Sequence, residues 1–155
     1  MKYDENIFKI ENALSLHIYL CSKELLRYYN VLLAKYDLTY TQYLVMIYFW
    51  KTGESNLKDI GKVLILDSST LTPLLKKLEK KGFITRSKSK DDERNLVLKL
   101  TEKGKSLESE LKNLPEEVYK ILNLSDSERT DLQKELYKIL IRIMEVNKHV
   151  INKGK

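Results

Sequence analysis

The chain has 155 residues, of which 28 are Lys or Arg and 22 are Asp or Glu, so its formal net charge is +6. Its 43% apolar and 32% charged residues suit a globular protein, and its longest apolar run, residues 43–50, is too short to span a bilayer. One cysteine, two histidines and an N-terminus without an apolar signal segment predict a cytoplasmic protein with no disulfide, metal site or cofactor.

The positive charge is concentrated in the middle of the chain. Residues 51–105 hold fourteen basic and eight acidic side chains, whereas the basic and acidic side chains of residues 1–50 and 106–155 balance. This distribution indicates either a module that binds a polyanion or a solvated lysine-rich face.

The first predicted element is a long amphipathic helix that ends near residues 36–37. Apolar residues recur along it at steps of three and four, which is the spacing of one helix face. Cys21 falls on this face, so we expect a structural thiol, with a redox role as the alternative. The apolar positions are Ile7, Ile10, Leu14, Ile18, Cys21, Leu25, Tyr28 and Leu32.

Three short helices are predicted next, because a capping residue precedes each of them. Thr39 or Thr41 can cap the first helix, which Gly53 ends. Asn56 can cap the second helix, and Asp67 can cap the third, which is expected to run to residue 81.

The third helix has an apolar face and a polar face. Its leucines follow the i, i+3, i+4, i+7 spacing of a buried stripe. The opposite face carries small hydroxyls and then lysines, which suit DNA bases and phosphates. An ordinary surface helix is the alternative, although Pro73 is unusual for one because it removes a backbone hydrogen bond. The DNA contacts predicted on this helix are Ser68, Ser69, Thr70, Thr72, Pro73, Lys76 and Lys77.

Two strands are predicted at residues 83–88 and 95–100, joined by the polar loop 89–94. We expect Asp92 to brace Arg94 so that the guanidinium can enter a narrow minor groove, and a solvated mixed-charge turn is the alternative. The DNA contacts predicted on this hairpin are Arg86, Lys88, Lys90, Asp92 and Arg94. Three helices followed by a hairpin are the order of a winged helix-turn-helix.

The last third of the chain predicts more helices. One helix should run from about Thr101 to about residue 123, with Pro115 kinking or splitting it. Ser125 and Glu128 form a predicted capping box for the final helix, which carries a heptad-like apolar seam. We expect the two terminal stripes to pack in a homodimer. The seam residues are Leu132, Leu136, Ile139, Ile143, Val146 and Val150.

The predicted fold class is therefore mainly α with a small β-hairpin wing. Residues 1–36 would form an N-terminal dimerisation helix, residues 37–101 the winged helix-turn-helix DNA-binding domain, and residues 102–155 the C-terminal dimerisation helices.

Two stretches, LDSSTLTPLLKKLE at 66–79 and DERNLVLKLT at 92–101, resemble the multiple-antibiotic-resistance regulator (MarR) family, nearest to its OhrR, SarZ and MgrA branch. The resemblance covers nearly the whole chain. It implies a homodimeric transcriptional regulator, here expected to be a repressor, on a pseudo-palindromic DNA operator. The residues themselves predict that helix 67–81 enters the major groove and that wing 88–95 enters the minor groove. The resemblance adds that the terminal helices form the dimer interface and that a ligand or oxidant alters the spacing of the two recognition helices.

One position departs from that branch. Its reactive cysteine lies four residues before a tyrosine, and here Ser15 stands at that position before Tyr19. Tyr29 and Tyr40 match the other two tyrosines of the branch's sensor pocket. A serine cannot follow the oxidation steps of a thiol. These four residues are the candidate pocket for a small aromatic effector, with an aromatic core as the alternative.

Two other classes of function are the alternatives. A winged-helix module could bind an acidic protein, but the hydroxyl face of the third helix and Arg94 favour DNA. Catalysis is not predicted, and no catalytic residue is proposed, because the spacing suggests no glycine-rich phosphate loop, metal cluster or nucleophile–base pair.

Overall fold

The computed structural model describes residues 14–88 and 96–153, with side chains up to residue 149. Its contacts divide the chain into two compact units, the first ending at Glu110 and the second beginning at Leu111. Among the described residues, no helix is long and apolar enough to cross a membrane.

The first unit begins with helix α1, Leu14–Leu33. A short 3-10 turn, Ala34–Tyr36, follows it, and Asp37 then adopts a left-handed conformation with φ of 53°. These features confirm the predicted end of the helix near residues 36–37. The predicted apolar positions Ile7 and Ile10 lie outside the described residues.

Helix α2, Tyr40–Thr52, is capped by Thr39 rather than Thr41. The backbone N–H of Gln42 donates to the Thr39 hydroxyl at 3.3 Å, and the Gln42 side chain accepts from the Thr39 backbone at 3.1 Å. This reciprocal pair satisfies two N–H groups that a helix start otherwise leaves without partners. Gly53 ends the helix with φ of 72°, as predicted.

Helices α3, Leu57–Leu64, and α4, Ser68–Lys80, form the helix-turn-helix. Asn56 caps α3 and Asp67 caps α4, each accepting from the backbone N–H three residues later, at 2.9 Å and 2.7 Å. Both predicted caps are confirmed. The predicted leucine stripe of α4 is also buried: Leu71, Leu74, Leu75 and Leu78.

The first unit also contains a three-stranded antiparallel sheet, in the order β1-β3-β2. Strands β2, Ile84–Lys88, and β3, Leu96–Leu100, are the predicted hairpin. Strand β1, Glu54–Asn56, was not predicted, because three polar residues are too few to show an alternating pattern. The prediction of two strands was therefore incomplete.

Helix α5, Glu102–Leu111, contacts the rest of the first unit at Gly104. The Trp50 ring N–H donates to the Gly104 carbonyl oxygen at 2.9 Å. A Cβ atom at this position would collide with the carbonyl oxygen of Phe83. Only glycine permits this approach of the helix backbone to the chain entering β2.

The second unit contains helices α6, Leu114–Leu122, and α7, Asp126–Lys153. Pro115 lies in the first turn of α6, where its missing N–H costs least, so the predicted helix is split rather than kinked. Ser125 and Glu128 form the predicted capping box of α7, with hydrogen bonds of 3.3 Å and 2.8 Å. The fold class is confirmed as mainly α with a small sheet.

Candidate nucleic-acid interface

The outer face of α4 is polar and exposed along its whole length. At 100° per residue, Ser69, Pro73, Lys76 and Lys80 point away from the buried leucines. Among the other predicted contacts on α4, Ser68, Thr70 and Lys77 are exposed and Thr72 is half-buried. The structure therefore places hydroxyls at the N-terminal end of this face and positive charge at its C-terminal end.

The N-terminal end of α4 is fixed by the Asp67 carboxylate. Its Oδ1 atom accepts from the Thr70 backbone N–H at 2.7 Å and from the Ser69 hydroxyl at 2.5 Å. Hydrogen bonds from the Ser69 hydroxyl and then from Thr70 hold the pKa of the Asp67 carboxyl below its usual range. The carboxylate is therefore ionised at neutral pH.

The C-terminal end of α4 is tied to the turn between α1 and α2 through Lys81. Its ammonium lies 3.0 Å from the Asp37 carboxylate, donates to the Asp37 backbone carbonyl, and lies 3.4 Å from the Gln42 amide oxygen. The Lys103 ammonium donates to the Lys81 carbonyl at 2.8 Å. These contacts fix where the lysine-bearing end of α4 lies relative to the turn.

Arg86 connects α4 to the hairpin. Its guanidinium lies 3.6 Å from the Glu79 carboxylate, and its side chain is 19% exposed. It stands opposite Leu98 in the sheet register, on the face that the core covers. In the single chain this guanidinium is engaged with α4. Its predicted DNA contact stays a prediction.

The predicted wing contacts are only partly described. Lys88 is exposed at the end of β2. Lys90, Asp92 and Arg94 lie outside the described residues, so the predicted bracing of Arg94 by Asp92 stays a prediction.

The candidate effector residues fall into two places. Tyr29 is buried and its ring centre lies 4.6 Å from that of Tyr40, while the buried Tyr43 lies 6.1 Å from Tyr29. Ser15 and Tyr19 are exposed on α1, ten or more residues before Tyr29, or about 15 Å or more along the helix axis. The effector pocket stays a prediction.

Burial also raises the pKa of the Tyr43 hydroxyl, and the neighbouring Tyr29 and Tyr40 raise it further. Nothing in the sequence spacing had marked Tyr43 as the most deeply buried ring of this cluster.

Cys21 is exposed in the single chain. Its position on the apolar face predicts a structural thiol with a redox role as the alternative, and both stay predictions. Among the described residues, no group of three or more His, Cys, Asp or Glu side chains is placed to hold a metal ion.

Comparison with known proteins decides the family. The family model described as transcriptional regulator SarA/Rot matches residues 27–111. The regulator SarZ of Staphylococcus saprophyticus is 41% identical over 140 residues, covering 90% of this chain and 92% of its own length. The chain belongs to the SarA/Rot family of transcriptional regulators.

Two solved structures define its architectural type. The chain of the Staphylococcus aureus MepR–DNA complex is 26% identical, with a TM-score of 0.76, over 83% of this chain and 97% of its own. A MarR variant from E. coli complexed with operator DNA is 25% identical, with a TM-score of 0.76, over 90% of this chain and 99% of its own. This SarA/Rot member is thus a winged-helix, DNA-binding transcriptional regulator of the MarR type, near SarZ, which confirms the predicted family and function.

Two contacts that position the α4 face were not predicted. The Lys81–Asp37 contact joins residues 44 positions apart, and the Arg86–Glu79 pair joins a strand to a helix. For the Lys81–Asp37 contact, the only sequence signal was the charged residue Asp37 in the turn after α1. For the Arg86–Glu79 pair, the spacing gave no signal.

Proposed function

We propose that this regulator binds double-stranded DNA as a homodimer on a pseudo-palindromic operator and acts as a repressor. Helix α4 would lie in the major groove and the wing, residues 88–95, in the minor groove. The proposal includes no catalytic step and places the protein with chromosomal DNA in the cytoplasm.

The outer face of α4 is the observation that carries this proposal. Small hydroxyls at Ser69 and Thr72 allow close approach to base edges, and Lys76 and Lys80 supply charge to phosphates. The helix is tied at both ends, by Asp67 and by Lys81, so little ordering is required when DNA binds. A face built only for an acidic protein would need charge but not the small hydroxyls.

Exposed apolar side chains support the homodimer. On α7, Leu136 is 46% exposed and Ile143 is 51% exposed, and on α1, Leu14 and Val31 are 64% and 69% exposed. Soluble proteins seldom leave such stripes in water, so a second copy of each helix is the expected cover.

The salt dependence of duplex binding tests the α4 contact. For wild type and the Lys76→Ala variant, log Kobs is measured against log salt concentration by fluorescence anisotropy. Loss of one phosphate contact should lower the slope by about one and weaken binding to every sequence alike. Lys134→Ala, an exposed lysine of α7, is the matched control and should keep the wild-type slope.

The same assay tests the wing. Arg94→Ala should cost about 1–3 kcal/mol on the preferred operator if its guanidinium enters a groove. If Lys76→Ala and Arg94→Ala both keep the wild-type salt slope and affinity, then neither α4 nor the wing contacts DNA. That result would favour an acidic protein as the partner.

A further inference from the structure

The hydroxyl proton of Ser69 is directed away from the outer face of α4. The Asp67 carboxylate, ionised at neutral pH, can only accept hydrogen bonds. Since 2.5 Å separates Asp67 Oδ1 from Ser69 Oγ, Ser69 must be the donor, and charge assistance makes this bond a strong one. Ser69 therefore keeps two lone pairs on its hydroxyl oxygen and has no proton left to donate.

A second acceptor lies at the same residue. In a regular helix the Ser69 carbonyl would accept from the backbone N–H of residue 73, but Pro73 has none. That carbonyl therefore lacks its normal helical donor.

The neighbouring Thr72 hydroxyl also uses its proton in a hydrogen bond within the helix. It donates to the Ser68 carbonyl at 2.7 Å, so its proton also points into the helix. The hydroxyl oxygens of Ser69 and Thr72 thus offer acceptors to a ligand, while Lys76 and Lys80 supply donors further along the outer face of α4.

Hydrogen-bond acceptors discriminate between bases in the major groove. Adenine N6 and cytosine N4 carry amino groups that donate there, whereas guanine O6 and N7 and thymine O4 accept. An acceptor opposite guanine or thymine would be left unpaired and repelled, and the nearby Asp67 charge adds to that repulsion.

We propose that Ser69 is a specificity-determining residue that selects adenine or cytosine, through the exocyclic amino group, at one position of each operator half-site. The inference rests on the proposed placement of α4 in the major groove, and it adds which class of base this end of the helix accepts. Asp67 acts as a positioning residue, because it sets the direction of the Ser69 hydroxyl without needing to touch the base.

Base preferences of the full-length protein test this inference. Duplexes selected from a randomised library define the half-site, and affinities are then measured with each of the four bases at every position. Wild type should prefer adenine or cytosine at one position by about fivefold or more, the lower end of what a good base contact supplies. Ser69→Ala should lose the preference at that position alone.

Two further variants distinguish the effect of the Ser69 hydroxyl direction from a general loss of structure or affinity. Asp67→Ser keeps a capping oxygen for α4 but removes the carboxylate, so Ser69 can donate and guanine or thymine should become acceptable at the same position. Ser106→Ala removes an exposed serine of α5 whose hydroxyl also bonds within its own helix, at 2.9 Å, and should keep every wild-type preference.

Three results would overturn the inference while leaving the proposed function intact. In the first, Ser69→Ala keeps every base preference of wild type. In the second, the preference that Ser69→Ala loses is one for guanine or thymine. In the third, Asp67→Ser retains the preference for adenine or cytosine. Selection of no motif by wild type would overturn the proposed function together with this inference.

Discussion

The winged-helix region and the final helix bury their apolar residues very differently. Phe49, Ile60 and Leu71 of the winged-helix region have no exposed surface, whereas Leu136 and Ile143 of α7 are about half exposed. Burial of apolar surface is the main favourable term in folding. The first region therefore buries its apolar side chains within one copy of the chain, whereas α7 leaves apolar surface exposed that the proposed second copy would cover.

The largest expected effect comes from breaking the α7 surface. Leu136→Glu combined with Ile143→Glu would bury two charges in a dimer interface, a cost of several kcal/mol per charge. We expect light scattering at micromolar concentration to give the mass of a monomer, and operator binding to be lost. Lys134→Glu makes the same net charge change at an exposed position of α7 and should remain dimeric. A monomeric wild type would contradict the dimer.

The next largest effect is expected where α5 packs within the first unit. Gly104→Ala would force the Phe83 carbonyl and α5 apart, which should cost about 3 kcal/mol of unfolding free energy. Gly53→Ala meets no atom within 4 Å and suffers only from its positive φ, so it should cost about 1–2 kcal/mol. Urea unfolding measures both values. Equal costs would show that α5 does not pack as closely as described.

A smaller effect is expected at the C-terminal end of α4. Lys81→Met removes an ion pair whose lysine is 22% exposed and whose aspartate is 89% exposed, so solvent screening limits the loss to about 1 kcal/mol. Lys80→Met, the same change on the outer face, should leave the urea midpoint unchanged. If the two variants are equally stable, Lys81 does not hold α4 to the turn.

The smallest effect at neutral pH is expected at Tyr43. Its pKa is raised in the folded state, so the stability it supplies is fully present below the ordinary tyrosine value of 10.0 and is lost as pH rises above that value. The free energy of unfolding of Tyr43→Phe should therefore decrease less steeply than that of wild type as the pH rises through the alkaline range. Tyr137→Phe, at a 65% exposed ring, is the control. Identical alkaline profiles for wild type and Tyr43→Phe would contradict the described burial.

The elements that could be predicted from sequence are those fixed by local contacts. The caps at Thr39, Asn56 and Ser125 each involve a partner three residues away, so a short window of sequence contains the whole interaction. The leucine stripe of α4 is equally local, because its spacing follows from helix geometry.

What could not be predicted depends on contacts between distant parts of the chain. Strand β1 forms only because β3 is present beside it. The Lys81–Asp37 contact and the direction of the Ser69 hydroxyl require coordinates, since spacing gives a face and not a hydrogen-bond partner. For the same reason, the apolar face that carries Cys21 did not reveal that the thiol is exposed in the single chain.

Selection of genomic fragments by the purified wild-type protein at physiological salt tests the central claim most directly. A dimer that places two copies of α4 in the major groove should enrich one motif with two-fold symmetry, with half-site centres separated by about one helical turn of DNA or a multiple of it. Equal and weak retention of all fragments would contradict that claim, and would mean that the basic middle of the chain attracts DNA through charge alone.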